Sequence, residues 1–552
     1  MKNLLIAFIG LLLIASCKKK DDPIVAPVAV DGVTVSPATA SVTAGATLSL
    51  KATVTPENAA DKSVTWTSSD SNIAAAADDG TVTGKSPGTA VITAASKSNP
   101  SKTAACTVTV LRIVSVSAIA LGDEGFAVRV PAPGGTTAIA NAPRTIASAL
   151  AAVKVTLTAA TGASVKIGTN AFVSGSTADF TRPVTFTLTS QDGATVSAYT
   201  VAIAAYDPVS NPYGIYTPAH LNKVRAALND SYKMMNDIDL PDRNAEGAAA
   251  IGISDYAAAG WAPIGGEFKG KFDGGNFSVN NFYIRRIGGG FIGLFEQIVS
   301  PAAISNLGIT GSASPAVTGG RYTGALAGRV TRGAVTNCYS EVAVRSEDGN
   351  VSAFTGGLIG YMSGGSITNS YSSGNVSGNH TYVHRAMGRD ASYGLHIGGL
   401  AGVARDGAAL SNCFATGNID ARSAYGVYGG GLTGYLGFYN LSPSASIANC
   451  YAAGNVECIE SNENTDRTNF IGRLGYFVNS TFTDCYRNST ATLTDNGGAV
   501  TEDSGGGITN KTRDEMQAND FRDLLNNGGS AWGRDGGKNG GLPYINGVGV
   551  GK

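Results

Sequence analysis

Between residues 31 and 206 single apolar and polar residues alternate in short runs. They read GVTVSP, TLSLKATVTP, SVTWTSS and AACTVTV, then AVRVPA, VKVTLTAATG and FTRPVTFTLTS. A period of two sends successive side chains to opposite faces of a strand, and Pro, Gly, Asn and Asp interrupt the runs every ~8 to 12 residues. Both stretches, 31–112 and 113–206, therefore predict antiparallel sandwiches. Gln191, Asp192 and Gly193 mark a hairpin in the second, because Asp-Gly supplies the positive φ of a tight turn.

Past residue 206 the rhythm changes. TPAHLNKVRAALND (217–230) offers Thr217 as N-cap, Pro218 at the first helical position and Leu221, Val224 and Leu228 on one face, predicting a short amphipathic helix that acts as a cap. Two elements then recur in phase. A Gly-flanked Leu returns at 294, 326, 358, 400, 432 and 474, with spacings of 32, 32, 42, 32 and 42. Behind each comes ISNLGI, VTNCYS, ITNSYS, LSNCFA, IANCYA or FTDCYR. A period of 20 to 50 residues implies stacked units that cannot bury their apolar faces alone. The runs are short, strand-like and broken by Gly, so the stack is a β-solenoid.

The recurring positions have physical roles. The Leu fills a narrow interior while Gly lets the backbone turn. Asn306, Asn337, Asn369, Asn412 and Asn449, with Asp484 last, suit a left-handed corner and a ladder of side-chain hydrogen bonds between rungs. A left-handed Asn flips the register and turns the next residue inward. Cys338, Cys413, Cys450 and Cys485 are then buried thiols, Ser370 standing in at the third copy, with disulfides or a metal as the alternatives. Tyr339, Tyr371, Phe414, Tyr451 and Tyr486 come next as an aromatic column at about 4.8 Å per rung. Facing outward it is a stacking platform for an extended glycan; facing inward it is core. The end of the chain, TRDEMQANDFRDLLNN (512–527), has a capping box of Thr512 and Glu515 ahead of Met516 and Leu524, and predicts a cap over the open edge of the last rung. The fold class is all-β: two Ig-like β-sandwiches, then a parallel β-helix or β-solenoid over 207–552 with short capping helices.

Composition agrees. Glycine accounts for 73 of 552 residues, about 13% against a usual ~7%. Forty Lys and Arg against 41 Asp and Glu, scattered without a basic stripe, exclude a nucleic-acid partner. The first residues, MKNLLIAFIGLLLIASC, join Lys2 to an apolar run of about 12 residues, too short for a membrane span of ~20 and right for a secretion signal.

Several stretches resemble known families. IASC before residue 18 resembles the lipobox of bacterial lipoproteins, which implies a signal peptide over 1–17 and lipid attachment at Cys17. The adjoining KKKDDPIVAPVAV (18–30) reads as a tether, and its Lys and Asp residues resemble the export signal of Bacteroidetes lipoproteins. That implies an outer-membrane protein, lipid-anchored and facing the cell exterior. VTWTSSDSNIAAAADDGTVTGKSPGTAVITA resembles the bacterial Ig-like domain of group 2, with Trp66 as core aromatic and DDG as a hairpin turn. TGGLIG and IGGLAG, with SITNSYSSGNV and LSNCFATGNI, resemble the GLUG repeat of bacterial surface proteins, found also beside the catalytic region of IgA-specific metallopeptidases.

The residues argue against catalysis. His380 and His384 in HTYVH lack the Glu of His-Glu-x-x-His, so the peptidase activity is not carried over. There is no Cys-x-x-Cys, no nucleophile elbow and no phosphate loop, and neither a metal nor a cofactor is expected. NDIDL (236–240) reads as structure and ECIESNENTD (457–466) as a solvated loop, so no catalytic residue is assigned. Insertions in a solenoid mark its working face. They fall at 380–396 and 435–446, making Tyr382, His384, Arg385, Tyr393, Tyr435, Phe438 and Tyr439 the candidate ligand-binding residues, with flat aromatic faces and donors suited to sugars or protein surfaces. The expected protein is a non-enzymatic surface lipoprotein, an adhesin or binding protein for glycan or for host or other-cell protein. A carbohydrate-processing β-helix enzyme (lyase or glycosidase) and a purely structural envelope protein are the alternatives.

Overall fold

The computed structural model describes residues 27–552 apart from 113, 191–192, 194, 289, 349–351, 381–393, 425, 438–444, 461–469, 473, 478–479 and 501–506. The first sandwich pairs Thr39–Thr43, Thr103–Leu111, Gly88–Ser96 and Val64–Ser68 in one sheet. Ala74–Ala76 and Thr81–Gly84 form the hairpin at DDG, with Gly80 at φ 83°. Trp66 is buried among Val82, Ile92 and Val108, as the resemblance to the bacterial Ig-like domain implies. In the second sandwich Val184–Thr189 and Val196–Ile203 pair antiparallel around Gly193, which sits at φ 72°.

The helix from Pro218 ends at Lys223 and continues as a 3-10 turn over Val224–Ala226. Thr217 caps it, accepting the His220 amide at 3.2 Å, and Leu221 and Val224 are fully buried. This cap docks on the second sandwich: the Asn141 amide donates to Asn211 Oδ1 at 2.7 Å, and Arg144 pairs with Asp230 at 3.1 Å.

Beyond it, strands stack in parallel on four walls. In one turn wall 1 is Ala327–Thr331, wall 2 is Ala334–Thr336 with Tyr339–Ser340, wall 3 is Val344–Asp348 and wall 4 is Ser352–Gly356. The next turn repeats the order from Ile359–Ser363 in register. All six periodic Leu residues are buried, and the Leu326, Leu358, Leu400 and Leu432 amides each donate to the Leu carbonyl one rung on, at 2.8–3.0 Å.

Wall 2 bends where Asn337, Asn369, Asn412 and Asn449 sit at φ 49–55°. Asn369 Nδ2 donates to Asn337 Oδ1 at 3.2 Å and Asn412 Nδ2 to Asn369 Oδ1 at 3.0 Å, the expected ladder, and Asp273 receives its first member, Asn306, at 2.9 Å. A second ladder runs at the next corner, where Asn375, Asn418 and Asn455 each take an amide N–H from the following rung at 2.8–3.0 Å. The left-handed corner does turn the thiols inward: Cys338, Cys413, Cys450 and Cys485 are free and buried. Ser370 shows what the position needs, a small group that gives a hydrogen bond to its own turn and takes one from the rung below. Its Oγ donates to the Thr368 carbonyl at 2.8 Å and accepts the Cys338 amide at 3.1 Å, while Cys450 Sγ accepts the Cys413 amide at 3.3 Å.

The C-terminal segment departs from the expected end cap. Ile508–Lys511 does extend wall 2, pairing beside Cys485–Asn488, and the capping box forms, the Thr512 amide meeting Glu515 Oε2 at 2.6 Å. The chain then turns back along the outside of wall 2. Leu524 is 46% exposed, and Phe521 and Leu525 supply the buried face with Met516 instead. The acidic run also differs, because Val456–Glu460 is a wall 3 strand.

Candidate functional site

The column Tyr339, Tyr371, Phe414, Tyr451 and Tyr486 points away from the interior and stacks as expected of identical positions in register. Tyr371 and Phe414 lie 4.6 Å apart at 4°, and Phe414 and Tyr451 5.1 Å apart at 3°. It is no open platform. Met516, Phe521, Trp532, Leu542, Ile545 and Val548 of the returning segment cover it, and Tyr451 Oη donates to the Pro543 carbonyl at 2.5 Å.

A second aromatic stack lies on the outer face of wall 4. Phe291, Tyr322, Phe354, His396 and Tyr428 occupy one register position and stack at 4.5–5.0 Å. The facing column on wall 1 runs Glu267, Gln297, Arg329, Tyr361, Val403 and Tyr435. Edge contacts join the two: Phe354 meets Tyr361 at 5.2 Å and Tyr428 meets Tyr435 at 5.4 Å. Outer faces of neighbouring walls touch only if the corner between them folds inward, and glycine makes that possible. A Cβ on Gly357 would overlap the Ser372 side chain of wall 2 across the interior, and one on Gly399 would lie 2.7 Å from Ala415 Cβ. The result is a re-entrant groove along the solenoid axis.

The groove changes along its length. Phe354, Tyr361, Val403, Tyr428 and Tyr435 fill it as a closed cluster. Toward the first rungs it opens, with Phe291 and Tyr322 half-buried opposite Gln297 and Arg329. Arg329 and Arg405 lie over Tyr361 at 5.6 and 5.2 Å, and Arg321 over Tyr322 at 5.1 Å. Burial pushes the Tyr361 phenol up to about 12, so it stays a neutral donor. The carboxylates that border the groove are engaged: Glu267 with Lys269 at 2.8 Å, which lowers its pKa, Glu296 with the Gly266 amide at 2.8 Å, and Asp406 with Ser363 at 2.6 Å.

Of the candidate ligand-binding residues, Tyr382, His384, Arg385, Tyr393, Phe438 and Tyr439 lie outside the described residues, as does Cys17. Tyr435 is only 3% exposed, packed edge-on against His396 at 5.7 Å, so it supports the groove floor and presents no face to a ligand. His380 and His396 belong to strands of walls 3 and 4 and are buried. The described strands on either side of the two insertions are those ending at His380 in wall 3 and beginning at Gly394 in wall 4, and those ending at Leu436 in wall 1 and beginning at Ser446 in wall 2. Reading the insertions alone missed Phe291, Tyr322 and Arg329, which sit in copies of ordinary length; aligning wall 4 aromatics by period would have found Phe291 and Tyr322, though not Arg329 on wall 1.

Asp237 and Asp239 are structural, accepting from the Ser278 amide at 2.7 Å and Asn280 Nδ2 at 2.8 Å. Among the described residues no group of three or more His, Cys, Asp or Glu side chains could hold a metal. Where the second sandwich meets the cap, a cleft of about 600 Å³ is lined by Glu124, Phe126, Tyr216 and His220. Glu124 is taken up by Thr145, by His220 Nε2 at 3.6 Å and by Lys223 at 3.5 Å.

The fold and groove define an all-β chain with an Ig-like N-terminal part and a parallel solenoid. Residues 29–108 match the bacterial Ig-like domain (group 2) and 393–420 match the GLUG motif. A Gly-rich membrane protein of Evansella cellulosilytica is 33% identical over 137 residues, covering 24% of this chain and 15% of that protein. A 3-O-alpha-D-galactosyl-alpha-L-arabinofuranosidase of Bifidobacterium longum is 46% identical over 87 residues, 15% of this chain and 8% of the enzyme. The chain thus spans less than a sixth of the length of either relative. A solved structure described as an immunoglobulin A1 protease from Bacteroides ovatus aligns with a TM-score of 0.43 at 19% identity, over 62% of this chain and 94% of that one, a likeness too low to speak to activity. Among the described residues no helix is long and apolar enough to cross a membrane.

Proposed function

We propose that this is a non-enzymatic, surface-displayed binding protein. Its sandwiches over 31–112 and 113–206 serve as a stalk, and the solenoid of 207–552 takes a glycan or protein ligand along its aromatic groove. The observation that carries the reading is the re-entrant groove between walls 1 and 4, with stacked rings on one side and hydrogen-bonding side chains on the other. Flat rings beside planar polar groups recognise sugars and protein surfaces. Lipid attachment at Cys17 would hold the chain to the outer membrane: each buried CH₂ contributes about 0.8 kcal/mol, so several acyl chains suffice without a transmembrane helix.

The test is a glycan and surface-protein array probed with the full chain and with Tyr322→Ala. Binding that the variant loses supports the reading. No ligand on either array, with wild-type surface adhesion by cells lacking the protein, would leave the structural envelope role.

A further inference from the structure

The open end of the groove holds a guanidinium that no side chain hydrogen-bonds among the described residues. Arg329 sits at the wall 1 position facing Tyr322, with its guanidinium 5.6 Å from the Tyr361 ring. Its Nε–H is buried without a hydrogen-bond partner, and among the described residues no carboxylate pairs with it. The contrast with Arg405, two rungs further on the same wall, is direct: Arg405 Nε meets Asp406 Oδ2 at 3.1 Å. A desolvated donor left unpaired is costly, and a guanidinium held by packing presents a rigid fork that matches a carboxylate or sulfate. Glu267 heads the same column, two rungs before Arg329; its ion pair is with Lys269, and Arg329 adds only the weakest of the electrostatic influences on it. Phe291 and Tyr322 are half-buried, their rings 4.9 Å apart, beside Gln297. An apolar ring surface next to an amide and a free guanidinium suits a pyranose carrying an anionic substituent.

We infer that Phe291, Tyr322, Gln297 and Arg329 form a subsite for an acidic sugar, with Arg329 taking its carboxylate or sulfate and Tyr322 its ring. This rests on the groove-binding reading and narrows it to an anionic glycan.

The experiment is calorimetric titration of the full chain with oligogalacturonate, with its methyl ester, which keeps the rings and removes the charge, and with a carrageenan oligosaccharide as the sulfated arm, which has no carboxylate. The expected result is a preference for a charged glycan over the neutral ester of about ten- to hundredfold, the usual weight of a charge-assisted bidentate contact. That preference collapses in Arg329→Gln and is partly kept in Arg329→Lys, while Tyr322→Ala weakens every glycan. Which charged arm binds decides between carboxylate and sulfate. Equal affinity of the wild type for acid and ester, with no binding of the sulfated glycan, overturns the inference even if Arg329→Gln fails to fold, and so does a folded Arg329→Gln that keeps the preference. A neutral glycan or protein bound in a Tyr322-dependent way overturns the acidic subsite and leaves the groove reading standing. No Tyr322-dependent ligand of any kind overturns both.

Discussion

The amide of Val550 donates to the Tyr371 hydroxyl at 3.1 Å, across 179 residues of chain. Tyr371 passes the bond on to Glu341 Oε1 at 2.8 Å. Residue 550 is thus tied to an early rung, and Lys552 reaches the Asn276 carbonyl and lies over the Tyr339 ring at 5.4 Å. The C-terminal segment is part of the solenoid's packing.

Trp532→Ala is therefore expected to cost about 3–5 kcal/mol, as for a large buried aromatic, since Trp532 is 2% exposed against Phe414 and Tyr451. Urea unfolding gives the loss, and increased binding of a hydrophobic dye shows that the column has been uncovered.

Asn369→Ala removes a link of the ladder at a residue with φ 49°. Two hydrogen bonds and a left-handed backbone penalty together imply about 2–4 kcal/mol. Asn369→Gly, which relieves the backbone strain, should lose less, and the difference between the two variants in urea midpoint separates the contributions.

The thiol column is inert. All four thiols are closed off from solvent, and burial pushes Cys338 up to about 12 and Cys485 to about 11; because the reagent cannot reach them, Ellman's reagent at pH 8 should label none of Cys338, Cys413, Cys450 and Cys485 until the chain is unfolded. Cys450→Ser is expected to cost under about 1.5 kcal/mol, because the hydroxyl keeps the bond to Cys413, as Ser370 does for Cys338. Rapid labelling of the native protein at any of the four would contradict the packing.

His220 links the second sandwich to the solenoid cap. Burial lowers its pKa, with Glu124 opposing the shift and Lys223 adding to it. The folded state prefers the neutral ring, so its contribution is complete above the unfolded value of about 6.5 and is lost as the pH falls below it. His220→Asn should flatten the decline in thermal midpoint between pH 7 and 5; a slope unchanged from wild type would place the acid sensitivity elsewhere.

Gly399→Ala tests the inward corner directly. The added methyl has Ala415 Cβ 2.7 Å away and the Gly431 carbonyl closer still, so the walls must part, and overpacking of this kind costs about 1–3 kcal/mol. The variant should lower the melting temperature and weaken groove ligands together.

Periodicity made much of this legible. Leu at 32 and 42 residues, Asn at a corner and Cys behind it suffice to place the interior, because each is dictated by one rung and repeated. The resemblance to the bacterial Ig-like domain likewise put Trp66 in a core. What escaped was whatever depends on relations between walls. A rung read alone shows that an aromatic comes after the Cys, but only the path of residues 512–552 decides that Tyr451 is covered. Tyr435 reads as an exposed ring beside an insertion, yet the bend at Gly399 turns its wall against His396. Arg329 carries no local signature at all; its interest lies in the partner that Arg405 has and it lacks.

The returning segment also fixes a length. It meets Tyr486 through Phe521, Tyr451 through Trp532, Tyr371 through Val550 and Tyr339 through Lys552, so its contacts are spaced to the rungs beneath. One added rung would lengthen the column by about 4.8 Å and leave every later contact out of step. Repeat arrays ordinarily grow or shrink by duplication of a unit, but here the tail measures the stack, and a copy could be gained or lost only together with a matching change in the tail.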